Sequence, residues 1–148
     1  MKKALFAVFA LLLVFSGCKK YEDGPSLSLR TKKARLCNVW IIHSVTENGT
    51  DRTSDYRTYY SGYTATINKD NTYSLAYRIM NATDYSETGT WVFSGDKEHV
   101  YFTKSNTTNQ SDWTILRLKE REFWAKYTYQ DSNNQAVVVE VHFSPKYE

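Results

Sequence analysis

The chain has 148 residues, 19 Lys and Arg against 16 Asp and Glu, and an aromatic content of 16% that includes 12 tyrosines. A formal charge of +3 is too small for the electropositive field that nucleic acid requires, so that class of partner is excluded. The length suits one domain with a real core. The two cysteines, Cys18 and Cys37, form neither a Cys-x-x-Cys metal or redox motif nor the framework of a disulfide-rich fold.

The chain opens on Lys2 and Lys3, continues with the 12 apolar residues Ala4 to Phe15, and reaches Ser16-Gly17-Cys18. A membrane-spanning helix needs about 20 apolar residues. A basic start, a short apolar run and small residues before a cut are instead the layout of a secretion signal. With a cysteine directly after the small pair, Phe15-Ser16-Gly17-Cys18 resembles the lipobox of bacterial lipoproteins. That resemblance implies cleavage before Cys18, acylation of Cys18 by more than one chain of the palmitate type, and stable attachment to a membrane. Residues 1–17 are then the lipoprotein signal peptide. Their removal takes only Lys2 and Lys3 from the charge balance and leaves a formal charge of +1. Residues 18–30, polar and turn-rich around Lys19-Lys20-Tyr21-Glu22-Asp23-Gly24-Pro25, read as a tether. The acidic pair Glu22-Asp23 so near the anchor resembles the surface-export signals of some Gram-negative lipoproteins. The expected location is the cell envelope, lipid-anchored at the outer membrane, with the periplasmic and surface leaflets both open.

Residues 31–148 read as one domain. Thr31 can cap a short helix through Cys37, with Leu36 and Cys37 plugging one end of the domain. From there the chain alternates and keeps turning: runs of Val, Ile, Thr, Tyr and Trp with period 2, broken by Asn, Asp, Gly and Ser, predict eight strands. They are Val39–Val45, Tyr63–Asn68, Thr72–Ile79, Glu87–Phe93, Glu98–Thr103, Asp112–Leu118, Glu122–Tyr129 and Ala136–Phe143. The segment Thr50–Ser61 is a longer, Tyr-rich loop with room for a helical turn. Short turns favour sequential antiparallel pairing, and eight strands are a natural number for closing a sheet on itself without free edges. The expected class is therefore all-β: an eight-stranded antiparallel up-and-down barrel with a short N-terminal helix.

Leu36-Cys37-Asn38-Val39-Trp40, then Thr88-Gly89-Thr90-Trp91-Val92-Phe93, then Ile115-Leu116-Arg117-Leu118 before Phe123-Trp124 occur in an order that is similar to the lipocalin-like lipoproteins of bacteria. The resemblance spans about residues 27–143. Asn38 stands where lipocalins proper have glycine. The resemblance implies a lipocalin-like barrel whose mouth or interior takes a small apolar ligand.

Catalytic signatures are lacking. No serine sits in a Gly-x-Ser-x-Gly elbow, and neither an HExxH motif nor a phosphate-cradling glycine loop occurs. Alternation puts His43, His99 and His142 on the outer face, where two imidazoles meeting between first and last strands make a poor metal site. The chain is thus expected not to be an enzyme and to need no cofactor or metal. Aromatic side chains are the anomaly. Trp40, Tyr63, Tyr73, Tyr77 and Trp91 are the candidate ligand-binding residues, and filling of the interior by such rings is the competing role. Tyr56, Tyr59 and Tyr60 form a candidate interaction loop. Two functions are then open: binding of a small apolar or amphipathic ligand inside the barrel, or a filled barrel whose loops hold a protein or glycan. Cys37 is expected to be a small buried apolar residue.

Overall fold

The computed structural model describes residues 30–146. Helix α1 (Lys32–Leu36) is followed by β1 (Val39–Glu47), the two-residue β2 (Thr50–Asp51), helix α2 (Thr53–Tyr59), β3 (Tyr60–Ile67), β4 (Thr72–Ile79), β5 (Thr83–Phe93), β6 (His99–Lys104), β7 (Gln110–Leu118), β8 (Phe123–Gln130) and β9 (Ala136–Pro145). Every pairing is antiparallel, and paired strands are neighbours in sequence apart from the β1–β3 step around β2 and the β1–β9 ladder that closes the sheet. Eight strands, β1 and β3 to β9, make the barrel; β2 is a hairpin extension of β1 at Thr46 and Glu47. The expected class is the one that the chain adopts.

One end is shut. Thr31 Oγ1 accepts from Ala34 N–H and starts α1, which presses the fully buried Leu36 onto the barrel floor. Trp40, also fully buried, donates its indole N–H to the Leu36 carbonyl at 2.8 Å. Burial of that ring with its one polar group satisfied is the arrangement that makes tryptophan a strong anchor. Trp91 Nε1–H likewise donates to the Asn68 carbonyl in the β3–β4 turn. Phe123, Val100, Leu118 and Phe143 complete the closed end with them. Cys37 is half-buried rather than buried, because as the cap of α1 it lies at the rim of this plug.

The seam of the barrel is uneven. β1 pairs with β9 along almost its whole length but with β3 through only Val39–Thr66 and Trp40–Ala65. Above that short ladder α2 packs against β1 and β3. Arg57 donates to the His43 carbonyl at 2.6 Å, and Tyr56 donates to Glu47 at 2.8 Å. A β-bulge between Ile42 and Ser44 inserts one residue and inverts the alternation. Beyond it Val45 points in, and Glu47 follows on the same face, past the strand end at Val45 that the sequence pattern predicts.

Strand boundaries shift by one or two residues in several places, and two strands start much earlier than the sequence pattern predicts. β3 starts at Tyr60 and β5 at Thr83. The β4–β5 hairpin turns at Met80 and Asn81, both with positive φ (49° and 59°), as at the two central positions of a type I′ turn, with Ala82 left between the paired Ile79 and Thr83. Methionine is an unusual occupant of that position, so no turn signal marks it. The extension brings Tyr77 and Tyr85 into register, with stacked rings 4.6 Å apart.

Candidate functional site

Alternation sorts the inner wall by height. Near the plug stand tryptophan, phenylalanine and aliphatic residues. Toward the open end stand tyrosines and the carboxylates of Glu47 and Glu87. A cavity of about 90 Å³ lies between. It is lined by Trp40, Tyr63, Ala65, Ile67, Tyr73 and Leu75 on β1, β3 and β4, and by Glu87, Phe102, Ser111, Trp113, Phe123 and Phe143 on the other strands. Ser111 is exposed and marks the side on which the cavity communicates with solvent. Pockets for drug-sized molecules run from about 300 to 1,000 Å³. The interior is therefore mostly filled by rings, with space left for one small group.

The rings around this space form a continuous packing. Trp113 stacks on Tyr127 at 4.8 Å and on Phe143 at 6.0 Å, and Phe102 meets both Tyr73 and Trp113 edge-on. Tyr63 lies against Phe143 and Tyr77. Burial pushes the Tyr63 hydroxyl pKa up, and the same cause takes Tyr127 to about 12. Both are neutral hydroxyls at physiological pH.

Among the described residues, Glu87 is the one charged residue on the cavity wall. Its side chain is 17% exposed. Tyr73 O–H donates to Oε1 at 2.7 Å, Tyr85 O–H donates to Oε2 at 2.7 Å, and Lys104 Nζ stands 3.3 Å from Oε2. Burial works against the charge, but these three donors outweigh it and hold the carboxyl below its ordinary pKa. Tyr73 is placed by Gly89: a Cβ there would fall 2.5 Å from the Tyr73 ring and 2.1 Å from the Thr103 carbonyl oxygen. The glycine between Thr88 and Thr90 exists because β5, β6 and a buried tyrosine meet at that point.

A second, shallower hollow lies at the open end beside α2, lined by Glu47, Arg52, Asp55, Tyr56, Tyr59, Tyr60, Tyr127 and Tyr129. Glu47 accepts from Tyr56 and from Tyr129, and Arg52 bridges Glu47 and Asp55. Tyr56, Tyr59, Tyr60, Tyr77 and Tyr85 make a chain of ring contacts across the mouth.

Of the five candidate ligand-binding residues, Trp40, Tyr63 and Tyr73 line the cavity, whereas Tyr77 and Trp91 do not. Trp91 is spent on the closed end, and Tyr77 is drawn upward by Tyr60 and Tyr85. Tyr56, Tyr59 and Tyr60 do come together, in the hollow at the mouth. The sequence reading missed Glu87, although it shares the parity of Trp91 on β5 and was recoverable from alternation. Phe102 and Trp113 were recoverable in the same way.

The histidines lie outside the barrel as alternation requires, but they are not simply solvated. His99 Nδ1 is 2.7 Å from Asp112, and His142 stacks on Trp124 at 3.9 Å with Glu140 at 2.6 Å. His43 and His142 do not pair in register, because the bulge sets Ser44 opposite His142. Among the described residues no group of three or more His, Cys, Asp or Glu could hold a metal ion. Among them too, no helix is long and apolar enough to cross a membrane. Cys18 and the tether up to residue 29 lie outside the described residues.

No family model matches the chain, and no curated protein matches it in sequence. Solved structures do match it in shape. Lobster apocrustacyanin A1 superposes with a TM-score of 0.51 at 10% identity, covering 81% of this chain and 64% of that one; this chain thus spans less than two thirds of that protein. A lipocalin-like protein from Bacteroides uniformis gives 0.52 at 10% identity, covering 75% of this chain and 98% of the other. Bovine odorant-binding protein, solved with its natural ligand, gives 0.51 at 8% identity over 82% and 78%. With an eight-stranded closed barrel, a helical plug and these likenesses together, the fold is a lipocalin-like barrel.

Proposed function

We propose that this chain is a lipid-anchored envelope protein that binds, without catalysis, a small apolar or amphipathic ligand in the barrel cavity. The observation that carries the reading is the ring-lined space above the Trp40 and Phe123 floor, accessible past Ser111. Binding would proceed by burial of a small apolar group among preformed rings, worth about 25 cal/mol for each Å² removed from water. The bovine structure carries its ligand in a protein of the same fold, which supports the idea. The cavity limits the buried part to one ring or a short branched chain.

Anchoring at the outer membrane through acyl chains on Cys18 belongs to the same proposal and rests on the lipobox resemblance. The fold agrees with it in one respect. Arg30, the first described residue, pairs with Glu120 in the β7–β8 turn, so the chain enters at the plugged end. A tether there would hold that end toward the bilayer and turn the open end away from it.

The rival reading, a loop site for a protein or glycan, is favoured by the hollow around Tyr56, Tyr59 and Tyr60. A titration of the purified protein with toluene, followed by tryptophan fluorescence, separates the two. Cavity binding predicts a saturable change that Ala65→Leu abolishes, because Ala65 lines the space. A saturable change that survives Ala65→Leu, or no change at all, contradicts it.

A further inference from the structure

Among the described residues the cavity wall presents a single formal charge, and its placement sets the chemistry of the ligand. Glu87 is on the lining; Lys104, its counter-ion, is not. The lysine Nζ reaches Glu87 Oε2 at 3.3 Å and the Tyr85 hydroxyl at 3.1 Å, and its side chain is about half exposed to solvent. Tyr73 donates to Oε1 and Tyr85 to Oε2. With Lys104 these occupy three of the roughly four acceptor positions of a carboxylate. The remaining acceptor capacity belongs to Oε1, the oxygen shared with the cavity-lining Tyr73. The remaining lining residues are aromatic or aliphatic, with the neutral hydroxyl of Ser111, and none of them brings a positive charge.

We propose that this site selects small ligands whose polar end is a hydrogen-bond donor, a hydroxyl or an ammonium group, and excludes carboxylic acids. The proposal rests on the cavity reading above and deepens it. A ring or branched chain enters among Tyr63, Phe102, Trp113 and Phe143, and its donor group meets Glu87 Oε1. A carboxylate ligand would bring a second negative charge against Glu87 in a partly desolvated site, where like charges repel far more strongly than in water. Lys104, 3.3 Å from Oε2, offsets part of this repulsion but is not on the lining, so it offers a ligand carboxylate no direct partner.

The test compares toluene, benzyl alcohol, benzylamine and benzoate, four single-ring probes of similar size, by titration against the purified protein. A charge-assisted hydrogen bond predicts that the alcohol and the amine bind roughly tenfold to a hundredfold tighter than benzoate. Glu87→Gln keeps the shape and removes the charge; it should bring benzoate to within about threefold of the alcohol. Benzoate binding as well as or better than the alcohol in the wild type overturns the proposal, whatever the variant does. So does an unchanged preference in a folded Glu87→Gln protein. If toluene and both donor probes all fail to bind, the cavity reading itself has failed. If toluene binds but the polar probes are not ranked, only the selectivity has.

Discussion

Replacing Gly89 by alanine tests the packing that places Tyr73 and, through it, Glu87. The added Cβ would stand 2.1 Å from the Thr103 carbonyl oxygen and 2.5 Å from the Tyr73 ring, and neither neighbour is the free end of a flexible side chain. Thr103 belongs to the β6 backbone, whose ladder pairs Gly89 with Lys104. Tyr73 is buried, and its hydroxyl is held by Glu87. Relief requires β5 and β6 to separate or the tyrosine to leave its place. Overpacking of this kind costs about 1–3 kcal/mol, and two rigid collisions put the variant at the upper end. At roughly 4 °C per kcal/mol for a domain of this size, the melting temperature should fall by about 12 °C. Gly95→Ala is the matched control, because nothing lies within 4 Å of a Cβ there; an open surface change stays within about 0.5 kcal/mol. The assay is thermal unfolding followed by circular dichroism. A Gly89→Ala protein that melts within about 2 °C of Gly95→Ala would refute the packing argument.

Trp40→Ala removes a fully buried ring and strands the Leu36 carbonyl that its N–H caps; it should cost about 3–5 kcal/mol in denaturant unfolding, and a negligible change would show that the plug does not depend on this ring. The depressed pKa of Glu87 means that its stabilising contribution is complete above the ordinary carboxylate range and is lost as pH falls through the lower folded-state value. The stability gap between wild type and Glu87→Gln should therefore be open at neutral pH and narrow below about pH 4. A gap that stays constant into acid would mean that the carboxylate is not held by its three donors. Cys18→Ala should abolish acylation and release or stall the precursor; unchanged mass and unchanged detergent-phase partitioning would refute the lipoprotein proposal.

Most of the barrel is legible because its code is local. The alternation Val137, Val139, Val141, Phe143 is written along one strand, and in the structure these side chains face the interior. Thr31 caps its helix three residues on. What the pattern hides is what breaks parity. The bulge at Ile42 and Ser44 turns Glu47 inward, and no residue type announces it. The Met80-Asn81 turn lengthens β5, brings Tyr85 onto Tyr77 and delivers the second hydroxyl to Glu87. Of the cavity, the floor and one wall were readable from Trp40, Tyr63 and Tyr73. Trp91 and Tyr77 have the same composition and parity but stand at other heights. Height depends on barrel shear and on which strands are adjacent, and alternation within a strand carries neither. Glu87 is a different case. Its parity was visible, but a carboxylate on an inward face is unfavourable until the donors from three strands are known to converge on it.

The central claim is that a small ligand occupies the space between Ala65, Leu75, Phe102 and Trp113. The most direct test is a methyl-resolved NMR titration of the purified protein with benzyl alcohol. Ala65, Ile67 and Leu75 line the cavity, while Val92 and Val138 are exposed and serve as outside reporters. Cavity occupancy predicts saturable shifts at Ala65, Ile67 and Leu75, with Val92 and Val138 unmoved. Shifts that are absent from the lining methyls, or equal at the outer ones, would contradict it.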